Sequence, residues 1–228
     1  MMNIDTVEKM AKIIDHTNLK PKANRDDIKR LCNEAIEFGF GAVCVNPCHV
    51  KYAKKILDSS DVEVCSVIGF PLGATLSSVK AFEAKQVIEN GATEVDMVMN
   101  VGALKSDDID LVERDIKKVV EAADGNLVKV ILETCLLTDE EVHNACEIVK
   151  DAGADFVKTS TGFSDSGATV KHIKIMKKAV GDQLGIKASG GIRAYKFAKE
   201  LIQEGATRIG ASSGIKVLEE MKSEGGTI

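Results

Sequence analysis

No apolar run in this sequence approaches the ~20 residues that a membrane-spanning helix needs. The opening Met1-Met2-Asn3-Ile4-Asp5 lacks the basic-then-apolar order of a secretory leader. The expected address is therefore the cytoplasm. Excess positive charge is also missing: 30 Lys and Arg stand against 35 Asp and Glu, interspersed, for a net charge of −5. That argues against a nucleic-acid footprint, which needs a basic face. A phosphorylated small molecule stays open as a ligand, because it requires only a local pocket of N–H groups and one or two cations. Six cysteines in 228 residues do not make a disulfide framework. Cys44 and Cys65 fall in apolar, strand-like runs, and Cys32 and Cys146 fall on apolar helical stripes, so buried free thiols are expected. There is no low-complexity segment and no Pro/Gly linker at which to divide the chain. One domain over residues 1–228 is expected, of a size that suits barrels of roughly 250 residues.

What is present is alternation. Apolar residues make up 44% of the chain, enough for a large core. Short apolar runs at 13–17, 42–46, 62–68, 94–100, 128–133, 155–160, 185–189 and 208–211 predict eight strands. Between them lie amphipathic helices. Asn24 suits the cap of a helix burying Ile28, Leu31, Cys32, Ala35 and Ile36. Thr138 with Glu141 forms a capping box ahead of Val142, Ala145, Cys146 and Val149, and Val170, Ile173, Met176 and Val180 make a further stripe. Near-continuous apolar strands separated by helices imply a parallel sheet covered by helices. The junctions Gly41-Ala42, Gly91-Ala92, Gly153-Ala154 and Gly205-Ala206 recur through the chain, with a junction of another type between successive ones. In the last three, glycine suits the left-handed position after a helix. Four such two-module units give a (β/α)8 TIM barrel with a short N-terminal helix; an open doubly wound sheet would leave the repeat unexplained.

Barrel active sites lie at the C-terminal ends of the strands. The polar residues there are Asp15, Asn46, Asp96, Asn100, Lys129, Glu133, Lys158, Ser160, Lys187, Ser189 and Ser212. Three of them are lysines interrupting apolar strands. Burying a lysine as a cation costs several kcal/mol unless it is paired or neutral. Each could be salt-bridged to a carboxylate such as Asp96 or Glu133 and serve structure alone. The chemical alternative is an amine nucleophile, which must shed a proton that a free lysine holds to a pKa of about 10.4. Desolvation and a second ammonium nearby both favour that loss. Lys158 and Lys187, each followed closely by a Ser/Gly loop, are the natural pair, and spacing does not say which attacks. The loops Ser189-Gly190-Gly191 and Gly210-Ala211-Ser212-Ser213-Gly214 stand where barrels commonly bind phosphate, and Thr159-Ser160-Thr161-Gly162 is placed to close a third side. Metal binding is not expected, since Cys44, Cys48 and His49 have no second ligand cluster to complete a site. His143 and His172 are expected on helix surfaces; the role of His16, beside Asp15, stays open.

The segments Ile14-Asp15-His16-Thr17, Val95-Asp96-Met97-Val98-Met99-Asn100, Phe156-Val157-Lys158-Thr159-Ser160-Thr161-Gly162, Gly185-Ile186-Lys187-Ala188-Ser189-Gly190-Gly191-Ile192 and Arg208-Ile209-Gly210-Ala211-Ser212-Ser213 closely resemble the deoxyribose-phosphate aldolase family, in order and over nearly the whole chain. The resemblance implies a class I, metal-free and cofactor-free aldehyde-lyase. Its reaction would be the reversible cleavage of 2-deoxy-D-ribose 5-phosphate to acetaldehyde and D-glyceraldehyde 3-phosphate, a step of deoxyribose phosphate catabolism. It also implies Lys158 as the Schiff-base lysine, Lys187 as the lysine that lowers its pKa, and Asp96 as the carboxylate of the proton relay. Asp15, Cys44 and Thr159 would line the pocket, Gly162, Gly190, Gly191, Ser212 and Ser213 would bind phosphate, and a homodimer is implied. One departure is the tail Gly225-Gly226-Thr227-Ile228, which lacks the tyrosine that some members extend into the site.

Overall fold

A computed structural model describes residues 4–226, so the extreme N-terminus and the last two residues of the tail lie outside the described residues. Each predicted strand finds a parallel neighbour on both sides. β1 (Ile14–Asn18), β2 (Ala42–Val45), β3 (Glu63–Ile68), β4 (Glu94–Val98), β5 (Leu127–Ile131), β6 (Phe156–Lys158), β7 (Gly185–Ser189) and β8 (Arg208–Ala211) pair in sequence order. β8 then pairs with β1, Ile209 opposite Ile14, and the sheet closes into a barrel. Strand ends differ from the expectation where the backbone turns away. Glu133 was expected inside a strand, but its left-handed backbone (φ 55°) takes the chain out of the sheet after Ile131. Asn100 likewise leaves β4 and caps the next helix by accepting the N–H of Ala103 at 3.1 Å.

The expected short N-terminal helix is α1 (Val7–Lys12), followed in the chain by α2 (Arg25–Phe38) and α3 (Val50–Leu57). Asn24 caps α2 by accepting the N–H groups of Asp26 and Asp27, while Asp27 returns a bond to the N–H of Asn24. Ile28, Leu31, Cys32 and Ala35 are buried, but Ile36 is 45% exposed. At 3.6 residues per turn it lies about 80° around the helix from Ile28, at the edge of the stripe. The middle of the chain forms α4 (Ser77–Glu89), α5 (Val101–Lys105) and α6 (Ile109–Ala122). α7 (Asp139–Asp151) begins with the Thr138–Glu141 capping box, and α8 (Val170–Val180) buries Ile173, Met176 and Val180, with Val170 half-buried at its start. α9 (Tyr195–Gln203) and α10 (Gly214–Ser223) complete the ring. The junction residues Gly91, Gly153 and Gly205 take φ of 103°, 81° and 120°, as their place after a helix requires. No helix among the described residues is long and apolar enough to cross a membrane.

Strand alternation sorts side chains into two compartments. Val43, Val95, Met97, Val128, Val130, Ile186 and Ile209 point outward and join the helices in the main hydrophobic core. The inward set is unusual: beside a small apolar cluster of Leu19, Cys44, Cys65 and Val67 it carries several buried charged side chains. A second buried pair lies outside the barrel, where Lys80 of α4 meets Asp115 of α6 and donates to the carbonyl of Val98 at 2.8 Å. Burial pushes the pKa of Lys80 down, with Asp115 pulling the other way.

Candidate active site

Alternation along β4 to β8 turns Asp96, Lys129, Lys158 and Lys187 inward, and the register sets them side by side. Asp96 stands opposite Lys129, and Lys158 stands opposite Lys187. Asp96 is the hub. Its Oδ2 accepts from Lys158 Nζ and from Lys187 Nζ, both at 2.7 Å, and its Oδ1 accepts from Lys129 Nζ at 2.9 Å and from the Cys65 thiol at 3.1 Å. Lys187 also pairs with Asp15, which pairs in turn with Arg208. Arg208 Nη2 reaches Glu94 Oε1 at 2.6 Å, and Glu94 Oε2 closes the ring on Lys129 Nζ at 2.6 Å. Lys129 is thus salt-bridged, but to Glu94 and Asp96; Glu133, the alternative partner, turns elsewhere.

The pair interactions outweigh desolvation in this cluster. Burial alone pushes the Asp96 carboxyl up, yet Lys129, Lys158 and Lys187 together hold it well below the usual carboxylate range. Asp15 behaves alike: burial opposes, and Lys187, Arg208 and Lys129 hold it low. Burial works against the Lys187 cation, but Asp15 and Asp96 raise its pKa above the ordinary lysine value. With every group ionised, Lys129, Lys158, Lys187 and Arg208 face Asp15, Glu94 and Asp96, an excess of one positive charge. Beneath them Cys44 and Cys65 sit opposite each other on β2 and β3. A hydrogen bond with Cys65 draws the Cys44 thiol down, while burial pushes Cys65 well up. Cys44, Cys65 and Asp96 bring three ligand atoms within 4.8 Å, as do Asp15, Cys65 and Glu94. The ammonium groups already occupying the Asp96 oxygens oppose a metal cation there. Cys48 is exposed on a separate turn at Pro47–His49.

Above the cluster lies a cavity of about 280 Å³. Of the three barrel lysines, Lys158 lines it; Lys129 and Lys187 are fully buried. Gly162, Gly190, Gly191 and Ser212 form its wall, as the loop positions predict. Glycine is required where two of these loops cross: a Cβ on Gly190 would lie 2.8 Å from the Cα of Gly167. Other expected residues stand back from the cavity. Asp15 and Cys44 are fully buried below. Thr159 straps β6 to β7, its hydroxyl donating to Ser189 O and accepting from Ser189 N, both at 3.0 Å. Ser213 precedes α10 without capping it. His16 faces away from the site, bonded to Glu34 at 2.7 Å and stacked on Phe40. His143 and His172, expected at the surface, are half-buried. The cations Lys20 and Arg193 at the cavity were missed by sequence reasoning. Arg193, two residues after the Gly190-Gly191 pair, was the more readable of the two.

The arrangement is an amine at the floor of a small cavity, walled by glycine and serine loops, with the exposed cations Lys20 and Arg193 at its side. It suits covalent capture of a carbonyl compound that carries an anionic group. Comparison with known proteins gives the same direction. The chain is 54% identical over 224 residues to deoxyribose-phosphate aldolase of Caldanaerobacter subterraneus subsp. tengcongensis, covering 97% of each. It is 59% identical over 212 residues to the enzyme of that name from Clostridium tetani, covering 92% of this chain and 98% of the other. The solved tetrameric deoxyribose phosphate aldolase of Aeropyrum pernix superposes with a TM-score of 0.90 at 37% identity, over 96% of this chain and 93% of that one. The family model described as DeoC/LacD family aldolase matches residues 9–220. With an inward lysine cluster, a walled cavity and that match over nearly its whole length, this chain belongs to the DeoC/LacD family of aldolases.

Proposed function

We propose that the barrel mouth cleaves 2-deoxy-D-ribose 5-phosphate reversibly to acetaldehyde and D-glyceraldehyde 3-phosphate, with Lys158 as the nucleophile. The observation that carries the choice of lysine is its place: Lys158 lines the cavity and makes one carboxylate contact, whereas Lys129 and Lys187 do not line it and each has two close carboxylate partners. The excess positive charge of the cluster disappears if one amine is neutral, and Lys158 is the amine with least carboxylate to lose.

The neutral amine of Lys158 adds to the C1 carbonyl of the open-chain sugar. Loss of water gives an iminium, and this cation is the electron sink. When the C3 hydroxyl loses its proton, the C2–C3 bond breaks and its electron pair moves into the iminium. Glyceraldehyde 3-phosphate departs, leaving an enamine that is protonated at C2 and hydrolysed to acetaldehyde. No metal or cofactor is needed, because the iminium performs the polarisation that a metal would. Asp96 touches the Lys158 amine at 2.7 Å and its pKa is held low, so it takes up the proton of the C3 hydroxyl through water only transiently and returns it by the same route to C2 of the enamine. Lys187, pinned by two carboxylates, remains a fixed cation beside the reacting nitrogen. Gly162, Gly190, Gly191 and Ser212 hold the phosphate, with Lys20 and Arg193 as the nearby cations.

The chain works as a single domain in the cytoplasm and as a homodimer. Assembly is supported by the tetrameric relative and by an exposed apolar stripe, Leu76, Val79 and Phe82, beside the exposed Leu72. Borohydride reduction in the presence of acetaldehyde, followed by peptide mapping, tests the reading. A reduced ethyl group is expected on Lys158, with full activity after EDTA treatment. An adduct on another lysine, or activity only on ketose donors, would overturn it.

A further inference from the structure

We propose that Glu133 is a positioning residue for the phosphorylated end of the substrate and acts through Thr161. The inference rests on the aldolase reading above and adds a residue to its binding site. Glu133 follows β5, is 4% exposed, and makes no ion pair among the described residues. Its carboxylate reaches across the barrel mouth to Thr161, with the Cys135 thiol a longer contact at 4.0 Å from Oε1. Oε1 accepts the Thr161 N–H at 3.2 Å, and Oε2 accepts the Thr161 hydroxyl. The Thr161 oxygen in turn accepts the N–H of Phe163 at 3.1 Å.

These bonds fix the loop from behind. The N–H groups of Thr161 and Phe163 are both occupied, and between them Gly162 N–H makes no hydrogen bond within the protein among the described residues. Thr161, Gly162 and Phe163 all line the cavity above Lys158. Glu133 itself lines a separate, smaller cavity on the far side of Thr161 and Phe163. A carboxylate facing a bound phosphate would repel it; one placed behind the loop instead directs a free N–H toward the anion. The backbone of Glu133 strengthens the point. At φ 55° a non-glycine residue is strained, and glycine would relax the turn. In that conformation both oxygens of the long acidic side chain reach the same loop residue, Thr161.

The intact chain and its Glu133→Ala, Glu133→Gln and Thr161→Val variants are assayed on 2-deoxyribose 5-phosphate and on 2-deoxyribose. The ratio of kcat/KM for the phosphorylated over the unphosphorylated sugar is expected to fall about tenfold in Glu133→Ala, chiefly through KM, as loss of hydrogen bonds to a charged group predicts. Glu133→Gln, which keeps a carbonyl acceptor, should recover part of the ratio. Thr161→Val removes the hydroxyl from the other end and should lower the ratio in the same sense, so the question stays answerable if Glu133→Ala does not fold. Equal losses on both sugars, or an unchanged ratio in folded variants, would overturn the assignment. Wild-type protein that cleaves neither sugar, with no borohydride adduct on Lys158, would instead overturn the aldolase reading beneath it.

Discussion

Replacing Asp96 by Asn tests the ionic cluster most directly. The side chain keeps its shape but loses the charge that Lys129, Lys158 and Lys187 share. Two carboxylates, Asp15 and Glu94, would then face Lys129, Lys187 and Arg208 in a buried space, with the Lys158 amine beside them. Breaking a buried pair in this way costs about 3–5 kcal/mol. The cost has a ceiling, because the folded protein can shed a proton from one of the lysines. Neutralising an amine with a free pKa near 10.4 costs about 4.6 kcal/mol at pH 7 and about 2 kcal/mol at pH 9. In the wild type Asp15 and Asp96 stay anionic and Lys129 and Lys187 stay cationic over that interval. The Lys187 pKa is raised by folding, so its contribution is complete below the free lysine value and is lost only as pH rises through the higher folded one. The destabilisation by Asp96→Asn should therefore be about 3–5 kcal/mol at pH 7 and shrink to about 2 kcal/mol or less at pH 9. The sequence has no tryptophan, so urea unfolding is best followed by far-UV circular dichroism. A loss of equal size at both pH values would show that Asp96 contributes packing and hydrogen bonds, not charge balance, and would refute the reasoning.

Lys187→Met removes the fixed cation beside Lys158 and leaves Asp96 with one fewer ammonium to balance. The rate at neutral pH should fall and the pH–rate profile should move to higher pH; an unmoved profile would reduce Lys187 to a packing role. Asp15 and Asp96 have folded pKa values below their free ones, so their stabilisation is complete above the free value and is lost as pH falls through the folded one. Carboxyl carbon NMR at about pH 3 should find both still ionised when a free Asp, with a pKa near 3.9, is mostly protonated, and a normal titration of either would contradict the network. Outside the barrel, Asp115→Ala should cost about 3–5 kcal/mol by stranding Lys80, whereas Lys80→Met with Asp115→Leu should be neutral or stabilising by about 1–4 kcal/mol. Urea midpoints for the single and double variants check this, and a double variant as unstable as the single would mean that the pair itself holds α4 to α6.

The barrel was legible in the sequence because its signals are local. Strand runs, the Asn24 and Thr138 caps and the junction glycines each act within a few residues, and the structure keeps them. What escaped depends on distance across the barrel. Glu94 and Arg208 complete the ring around Lys129 and Asp15 from strands far apart in sequence, and no spacing announces that pairing. α4 shows the same dependence on distant partners: Lys80 turns inward because Asp115 waits on α6, and Phe82 is left 64% exposed. The identity of the nucleophile shows the limit most clearly. Lys129, Lys158 and Lys187 recur at equal spacing in apolar strands, and their chemistry is the same. β5 and β7 each carry their lysine at the third of five positions, so the strand continues above it. β6 was expected to run through Ser160 but stops at Lys158, its last residue. The early end of that strand leaves one amine at the cavity floor while its neighbours stay roofed by their own strands. Where a strand ends is set by neighbouring strands and loops, and not by the residues of the strand alone.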